Sequence, residues 1–522
     1  MTTRPACARL RSALLGLLRD HRSGLFMLAI AVGLASGAGA VLFRLGIDAW
    51  TRFLTGAQDY TLSLGPSTGA LSGLGRWFLV VAPILSGLMI GPLMMRWGRA
   101  PTGHGVSGVL RSSRLSDGAM APGPAAATVV SAALTIGGGG SVGPEGPIAE
   151  LGASATSLFS RRLGLPRRAV RLLAAAGTAA GIAAAFNAPL AGAFFAMEVV
   201  LIDFTVDAFA FVVLACVSST VLSHHLLGVS LSLSLPSLNL TGDTQLGWVA
   251  LLGILGGLIG VGFSRARYLS ADAAIAGADR LRLPHWARPA LGGLLVGGIL
   301  LVVPETYGES SAILGRALDG RYTALALAGL LLAKIIATAV TLAVGMPGGV
   351  FAPSLFIGGM LGACFGMIVA PDRPEAAAVF GVVGMGAVFS GAARAPITSV
   401  VLIIEMTGQY NLLIPLMLAV ALSTVTGRFL TRSTIYTEEL RRRGLTIEDP
   451  QAPTSVGARF QEHWRQSHRS SNREGGATSR GSASDRSSAS NADSADSADN
   501  ADNTDNADNT DNADNAEDGS SP

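Results

Sequence analysis

The sequence predicts an all-α polytopic membrane protein built from two related halves, and three observations carry that prediction. Of 522 residues, 49% are hydrophobic and only 14% charged, where a soluble globular chain carries about 25% charge. Glycine supplies 66 residues with no collagen-like period, a density that suits helices packed closely in lipid. Three landmarks, two proline breaks and a glutamate, also recur along the chain at offsets that agree to within one residue. An ordinary soluble enzyme is excluded by this composition. Nucleic-acid binding is excluded as well, because the basic side chains, nearly all arginine with Lys334 the only lysine, form no soluble basic domain. Cys7, Cys216 and Cys364 are too few and too scattered for a disulfide framework or a zinc cluster.

Residues 1–23 place Arg4, Arg9, Arg11, Arg19 and Arg22 around a Leu-rich stretch, an amphipathic segment predicted to be cytoplasmic. The uncharged run from Gly24 to Phe43 is long enough to cross a bilayer. Ala38-Gly39-Ala40 within it has the look of a signal-peptidase site, but the length of the run favours a retained helix. Further apolar blocks fall near residues 77–95, 123–140, 172–200, 206–227, 246–263, 286–303, 323–346, 350–371, 377–393, 395–407 and 412–427. Several are too short to span and are interrupted by glycine and proline, which predicts broken, re-entrant and tilted helices within a membrane domain of residues 24–444. A helix stops inside a membrane only where protein or a water-filled cavity satisfies its backbone, so the breaks point to a site. Residues 445–522 read as a disordered polar tail in which aspartate recurs every third residue from Asp493 to Asp514. The glycine turns of calcium-binding repeats are missing from it. From Asp485 to Pro522 eleven acidic residues face one arginine, leaving +13 on the remainder of a chain whose net charge is +3. Arg441, Arg442 and Arg443, with the N-terminal arginines, place both termini in the cytoplasm.

The repeat is read from matching segments. Asn187-Ala188-Pro189-Leu190 precedes an apolar run ending at Glu198, and Arg394-Ala395-Pro396-Ile397 precedes one ending at Glu405. Upstream, Gly143-Pro144-Glu145-Gly146-Pro147 matches Gly349-Val350-Phe351-Ala352-Pro353, and the offsets between halves are 206, 207 and 207. Two structural repeats therefore occupy residues of about 76–230 and 285–428. Paired broken segments mark a midplane site, and helix N-termini meeting there would hold an anion without a dedicated cation.

Glu145 stands at one such N-terminus, where a carboxylate either caps the helix or competes with a dissolved anion as a gate. Glu198 and Glu405 occupy equivalent positions, and that symmetry favours a structural role over a proton relay. Glu150 is a second protonatable group close to Glu145. Lys334 and Arg394 interrupt apolar stretches and are expected to snorkel to an interface. A different class of function, an intramembrane serine protease of the rhomboid type, is raised by Gly105-Val106-Ser107-Gly108 with His224 and His225. It is the weaker reading, because four-residue patterns are frequent in a glycine-rich chain.

GPEGP at 143–147, AAFNAPLAG at 184–192, GGVFAP at 348–353 and the isolated Tyr436 together resemble the CLC family of chloride channels and proton-coupled chloride antiporters, over roughly residues 20–440. The resemblance implies two inverted repeats and a homodimer with one pore per subunit, in the inner membrane of a bacterium. It implies Glu145 as the gating glutamate, amides around Val350 and Phe351 with the Tyr436 hydroxyl as anion donors, chloride as the transported ligand and no cofactor. Gly103-His104-Gly105-Val106-Ser107 stands where the family's first anion loop reads GSGIP, so His104 replaces a serine donor beside Gly105 and leaves anion preference open. Pro144 stands where a basic residue is common. Val199 occupies the position of the inner proton-accepting glutamate of coupled members. A glutamate-gated passive channel, voltage- or pH-gated, is therefore the leading expectation. Chloride/proton antiport by another proton route, through Glu198 or Glu150, is the alternative. The tail is too short and polar for the nucleotide-sensing CBS pair that many members carry.

Overall fold

The computed structural model describes residues 22–98, 104–228, 243–373 and 375–445, with side chains throughout except at 22, 23, 243 and 244. The predicted N-terminal lead-in (apart from Arg22), Gly103 and the acidic tail lie outside the described residues. Within them the chain is helical: α1 (Arg22–Thr55), α2 (Phe78–Trp97), α3 (Gly105–Leu115), α4 (Pro122–Gly137), α5 (Glu145–Arg162), α6 (Arg167–Phe186), α7 (Pro189–Phe195), α8 (Val206–Leu227), α9 (Asp243–Arg280), α10 (Arg288–Val302), α11 (Ser311–Leu318), α12 (Ala324–Ala343), α13 (Phe351–Val369), α14 (Ala376–Ala393), α15 (Pro396–Thr407), α16 (Leu413–Leu430) and α17 (Thr437–Arg442). A π-helical turn over Ala196–Leu201 continues α7. Nine helical stretches among the described residues are long and apolar enough to cross a membrane, and Pro122–Gly137, Pro189–Leu201, Arg288–Val302 and Pro396–Thr407 are shorter apolar pieces. The protein is an integral membrane protein.

The proline landmarks all open helices. Pro189 and Pro396 are the first residues of α7 and α15, where the missing N–H is one the helix could not have used. Two residues earlier Asn187 and Arg394 both take left-handed backbone, with φ of 53° and 55°, ending α6 and α14 with the same cap. The halves also pack alike. Gly152 of α5 meets Gly177 of α6, and Gly358 of α13 meets Gly384 of α14. At all four positions a Cβ would come within 3.0 Å of the partner's carbonyl oxygen. These helix pairs cross backbone to backbone, as small residues permit in a membrane.

Helix α14 is buried along its entire length, and its composition, apolar except for Ser390, which bonds Thr424 Oγ1 (2.7 Å), suits a helix wrapped on every side. Helix α5 belongs to no apolar block in the sequence because Ser154, Thr156, Ser157 and Ser160 interrupt it. The helix is buried nonetheless. Thr156 donates to the Gly152 carbonyl (2.7 Å), Ser160 to that of Thr156 (2.6 Å), and Ser157 accepts the Met120 N–H (3.1 Å), so the hydroxyls cost little to bury.

Two expectations are corrected. Lys334 does not snorkel. It is fully buried on α12, donates to the Gly308 carbonyl and Ser310 Oγ (both 2.9 Å), and lies 5.0 Å from the Phe356 ring centre. Arg394 is also buried, its guanidinium donating to the carbonyls of Arg432 (3.0 Å), Ser433 (3.3 Å), Gly427 (3.4 Å) and Thr431 at the end of α16. Both cations satisfy orphan backbone oxygens, a stronger demand in the interior than access to water.

Candidate functional site

The two breaks touch. Gly143 and Gly349 form an isolated antiparallel pair, with N–H to carbonyl distances of 3.0 and 2.7 Å. Their separation of 206 residues is the repeat offset, so each half supplies the same residue to the contact. Three helix N-termini converge here. A Cβ on Gly105, at the start of α3, would stand 3.7 Å from the Gly146 Cα of α5, and one on Gly146 would stand 3.4 Å from the Gly349 Cα next to α13. Free N–H groups and the positive ends of these helices therefore face a common point without an intervening side chain.

Glu145 occupies that point. It opens α5, is 1% exposed, and its Oε1 accepts the N–H groups of Phe351 and of Ala352 (3.1 Å) at the start of α13. Its Oε2 is buried without a hydrogen-bond partner, and so is the Tyr436 hydroxyl. A Cβ at Gly143 or Gly349 would come within 3.0 Å of the carboxylate, so a side chain at either position would displace Glu145 from this seat. Val350 is the N-cap of α13. Tyr436 meets Phe195 edge-on (6.1 Å between ring centres), and Phe195 meets Phe351 in the same way (6.1 Å). The phenol and the α13 amides are thus held by one aromatic cluster, near enough for the Glu145 charge to act at Tyr436. Amide N–H groups and a phenol form a donor set that suits a weakly hydrated anion.

His104 is the N-cap of α3 and lies against Glu150, five residues along α5 from Glu145. Its Nδ1 lies 2.8 Å from Thr128 Oγ1 of α4 and 3.5 Å from Glu150 Oε1. Glu150 is 1% exposed, and its Oε2 accepts the Gly105 N–H (2.7 Å). Ser107 donates to the Tyr436 carbonyl (3.0 Å), and this partner is not the histidine a serine nucleophile needs. His224 and His225 lie near the end of α8.

Glu198 and Glu405 form a reciprocal pair of caps. Glu198, in the π-helical turn, accepts the N–H groups of Ile397 (3.2 Å) and Thr398 (2.9 Å) and the Thr398 hydroxyl (2.7 Å) at the start of α15. Glu405, on α15, accepts the N–H groups of Leu190 (3.0 Å) and Ala191 (2.8 Å) at the start of α7. The donors are repeat equivalents, and such mutual capping is the contact a two-fold relation generates. Val199 is buried beside Glu198.

Sequence reasoning did not find Ala352, Thr128 or the Gly143–Gly349 pair. The doubled glycine at 348–349 was the available signal for the last. Thr128 carried none. Among the described residues, no group of three or more His, Cys, Asp or Glu side chains is placed to hold a metal ion.

Comparison with known proteins places this geometry. The family model described as voltage gated chloride channel matches residues 86–428. A ClcB-like protein of Ralstonia nicotianae is 31% identical over 441 residues, covering 82% of this chain and 99% of its own. The voltage-gated ClC-type chloride channel ClcB of Escherichia coli is 32% identical over 386 residues, covering 71% and 89%. Among solved structures, a slow cyanobacterial Cl⁻/H⁺ antiporter superposes with a TM-score of 0.69 at 25% identity, covering 81% of this chain and 98% of that one. With a family match over most of the membrane domain and relatives above 30% identity along nearly their whole length, the chain belongs to the CLC family of chloride channels and transporters.

Proposed function

We propose that the protein exchanges chloride for protons across the membrane, with Glu145 as the moving gate. The observation that carries this is the Glu145 carboxylate seated on the Phe351 and Ala352 amides, with the Tyr436 hydroxyl unpaired beside the same aromatic cluster. A carboxylate that fills an anion's place excludes the anion while ionised. Protonation removes its charge and weakens its hold on the amides. Chloride then takes the donors around Val350, Phe351 and Tyr436, so one proton and one anion compete for one place, which is the requirement for exchange. The cyanobacterial antiporter of similar fold supports this reading.

The sequence had favoured a passive channel, chiefly because Val199 cannot carry a proton. The channel names of the curated relatives support that second reading. Purified protein in liposomes, with an imposed chloride gradient and the membrane potential set by a potassium ionophore, separates them. Exchange predicts uphill proton movement that is lost in Glu145→Gln. Chloride flux without chloride-driven proton movement establishes the channel instead. A homodimer, an inner-membrane location and cytoplasmic termini complete the proposal.

A further inference from the structure

Helix α5 carries two carboxylates, and each lies on the N-terminus of another helix. Glu145 holds the first amides of α13, and Glu150 holds the first amide of α3, the Gly105 N–H at 2.7 Å. The second carboxylate is buried, yet it touches a histidine whose side chain is 30% exposed. Thr128 Oγ1 joins the two groups: it lies 2.8 Å from His104 Nδ1 and 3.5 Å from Glu150 Oε1, with the Pro124 carbonyl at 2.9 Å as a third partner. A neutral imidazole carries hydrogen on one ring nitrogen and a lone pair on the other, and a protonated one carries hydrogen on both.

We propose that His104 and Glu150 form a second, proton-loaded gate on the α17 side of the pathway, His104 taking up a proton and Glu150 releasing the Gly105 amide when it receives it. In the step, the bare ring nitrogen of neutral His104 binds a proton from solvent, so that both nitrogens carry hydrogen. The Nδ1–H bond breaks, and an Oε1–H bond forms on Glu150 across the 3.5 Å separation. The imidazole returns to neutral, and the protonated carboxyl loosens its hold on the Gly105 N–H, which is then free for an anion. The inference rests on the exchange reading, to which it adds the proton entry that Val199 cannot provide.

The other charged and polar groups around the pair are few. Glu439, on α17, acts on His104 from a distance and is itself held by Arg443 (2.9 Å) and Arg267 of α9 (3.4 Å). The Gly98 carbonyl after α2 faces the ring. Thr128 of α4 is uncharged, and Arg171 of α6 meets α3 only at Ser113 (3.2 Å), two turns further along. No cation among these competes with Glu150 for the histidine.

The experiment is paired chloride and proton flux in liposomes, with pH stepped on each face in turn, for wild type, Glu150→Gln, His104→Asn and Thr128→Val. Glu150→Gln keeps an acceptor oxygen for Gly105, so the fold is retained. Thr128→Val keeps both titrating groups and loosens only the orientation of the ring. The expected result is a proton-to-chloride ratio lowered roughly 100-fold in Glu150→Gln, the usual contribution of a positioned proton-transfer group. His104→Asn slows proton movement, Thr128→Val lies between it and wild type, and the pH dependence from one face disappears in both titrating-group variants. Wild-type ratio and pH dependence in Glu150→Gln overturn the proposal. If wild type moves chloride without protons, the exchange reading fails on its own, and the pH step still judges the gate. Chloride flux that follows pH in wild type but not in Glu150→Gln supports it, and flux indifferent to pH in both overturns it.

Discussion

Glu198 separates a structural carboxylate from a proton carrier, and the perturbation is Glu198→Gln beside Glu198→Ala. The carboxylate accepts two N–H groups and one hydroxyl, at 3.2, 2.9 and 2.7 Å, and Thr398, which gives two of the three, is 1% exposed. Alanine removes every acceptor. Stranding a buried donor costs about 1–3 kcal/mol, and losing an N-terminal cap costs about 1 kcal/mol, so Glu198→Ala should destabilise by roughly 2–4 kcal/mol. Glutamine retains one oxygen and should lose about half of that. Glu405 holds only two donors, so its variants should lose less than those of Glu198. Thermal unfolding in detergent gives the order, and proton-to-chloride ratios in liposomes give the function. A folded Glu198→Gln should keep the wild-type ratio. Wild-type stability with lost proton movement would refute the capping account and make Glu198 the proton route.

Three further outcomes are expected. Gly152→Ala and Gly358→Ala, where a Cβ would meet a neighbouring carbonyl oxygen, should each lose about 1–3 kcal/mol by overpacking. Gly298→Ala on α10, where a Cβ meets nothing within 4 Å, should gain about 0.5–1 kcal/mol, and equal melting temperatures for these three variants would refute the packing argument. Lys334→Met strands the Gly308 and Ser310 acceptors and should cost about 2–5 kcal/mol, measured by thermal unfolding; a chloride affinity that falls without any loss of stability would instead put Lys334 in the anion pathway. The Arg441 hydrogen bond, with help from Arg442, holds the Glu438 carboxyl down to about 2 from an ordinary 4.5. A lowered carboxyl contributes stability above the unfolded value and loses it as pH falls toward the folded one. Hydrogen exchange should therefore show α17 equally protected from neutrality down to about 4.5 and less so below it, and protection that fades near neutrality would refute the assignment.

What the sequence disclosed follows from what repeats in it. Proline fixes backbone and glycine permits close approach, so GPEGP and GGVFAP marked helix openings, and the spacing to Pro189 and Pro396 related the halves. The symmetry of Glu198 and Glu405 pointed to structural roles, and the reciprocal caps are consistent with it. Hydropathy missed α5 because hydroxyls that bond to their own helix count as polar although they bury readily. It misplaced Lys334 and Arg394 because the carbonyls that receive them, such as those at Gly308 and Thr431, lie in connecting segments with no pattern of their own. The pairing of His104 with Glu150 joins residues 46 positions apart, outside any helical period. Only the fold brings the start of α3 against the side of α5.

The treatment of charge explains why the site is made of amides and carboxylates. A buried lysine or arginine aimed into the pathway would bind an anion too firmly to release it, since interior charge is weakly screened. Among the described residues, the buried cations Lys334 and Arg394 are bonded to backbone carbonyls, Lys334 at the 308–310 segment and Arg394 at the end of α16. In the proposed mechanism helix N-termini supply the positive potential instead, and partial charges on N–H groups bind weakly enough for exchange. Such a site has no affinity to spare, so a carboxylate tethered on a neighbouring helix competes with a dissolved anion on nearly equal terms. Removing its charge with one proton shifts the balance. In that proposal the α5 carboxylates Glu145, seated on an α13 amide, and Glu150, seated on an α3 amide, meet that description in the same way, and a pathway with a proton-removable plug on each of two helix N-termini need not open to both sides at once. This is the property that distinguishes an exchanger from a pore.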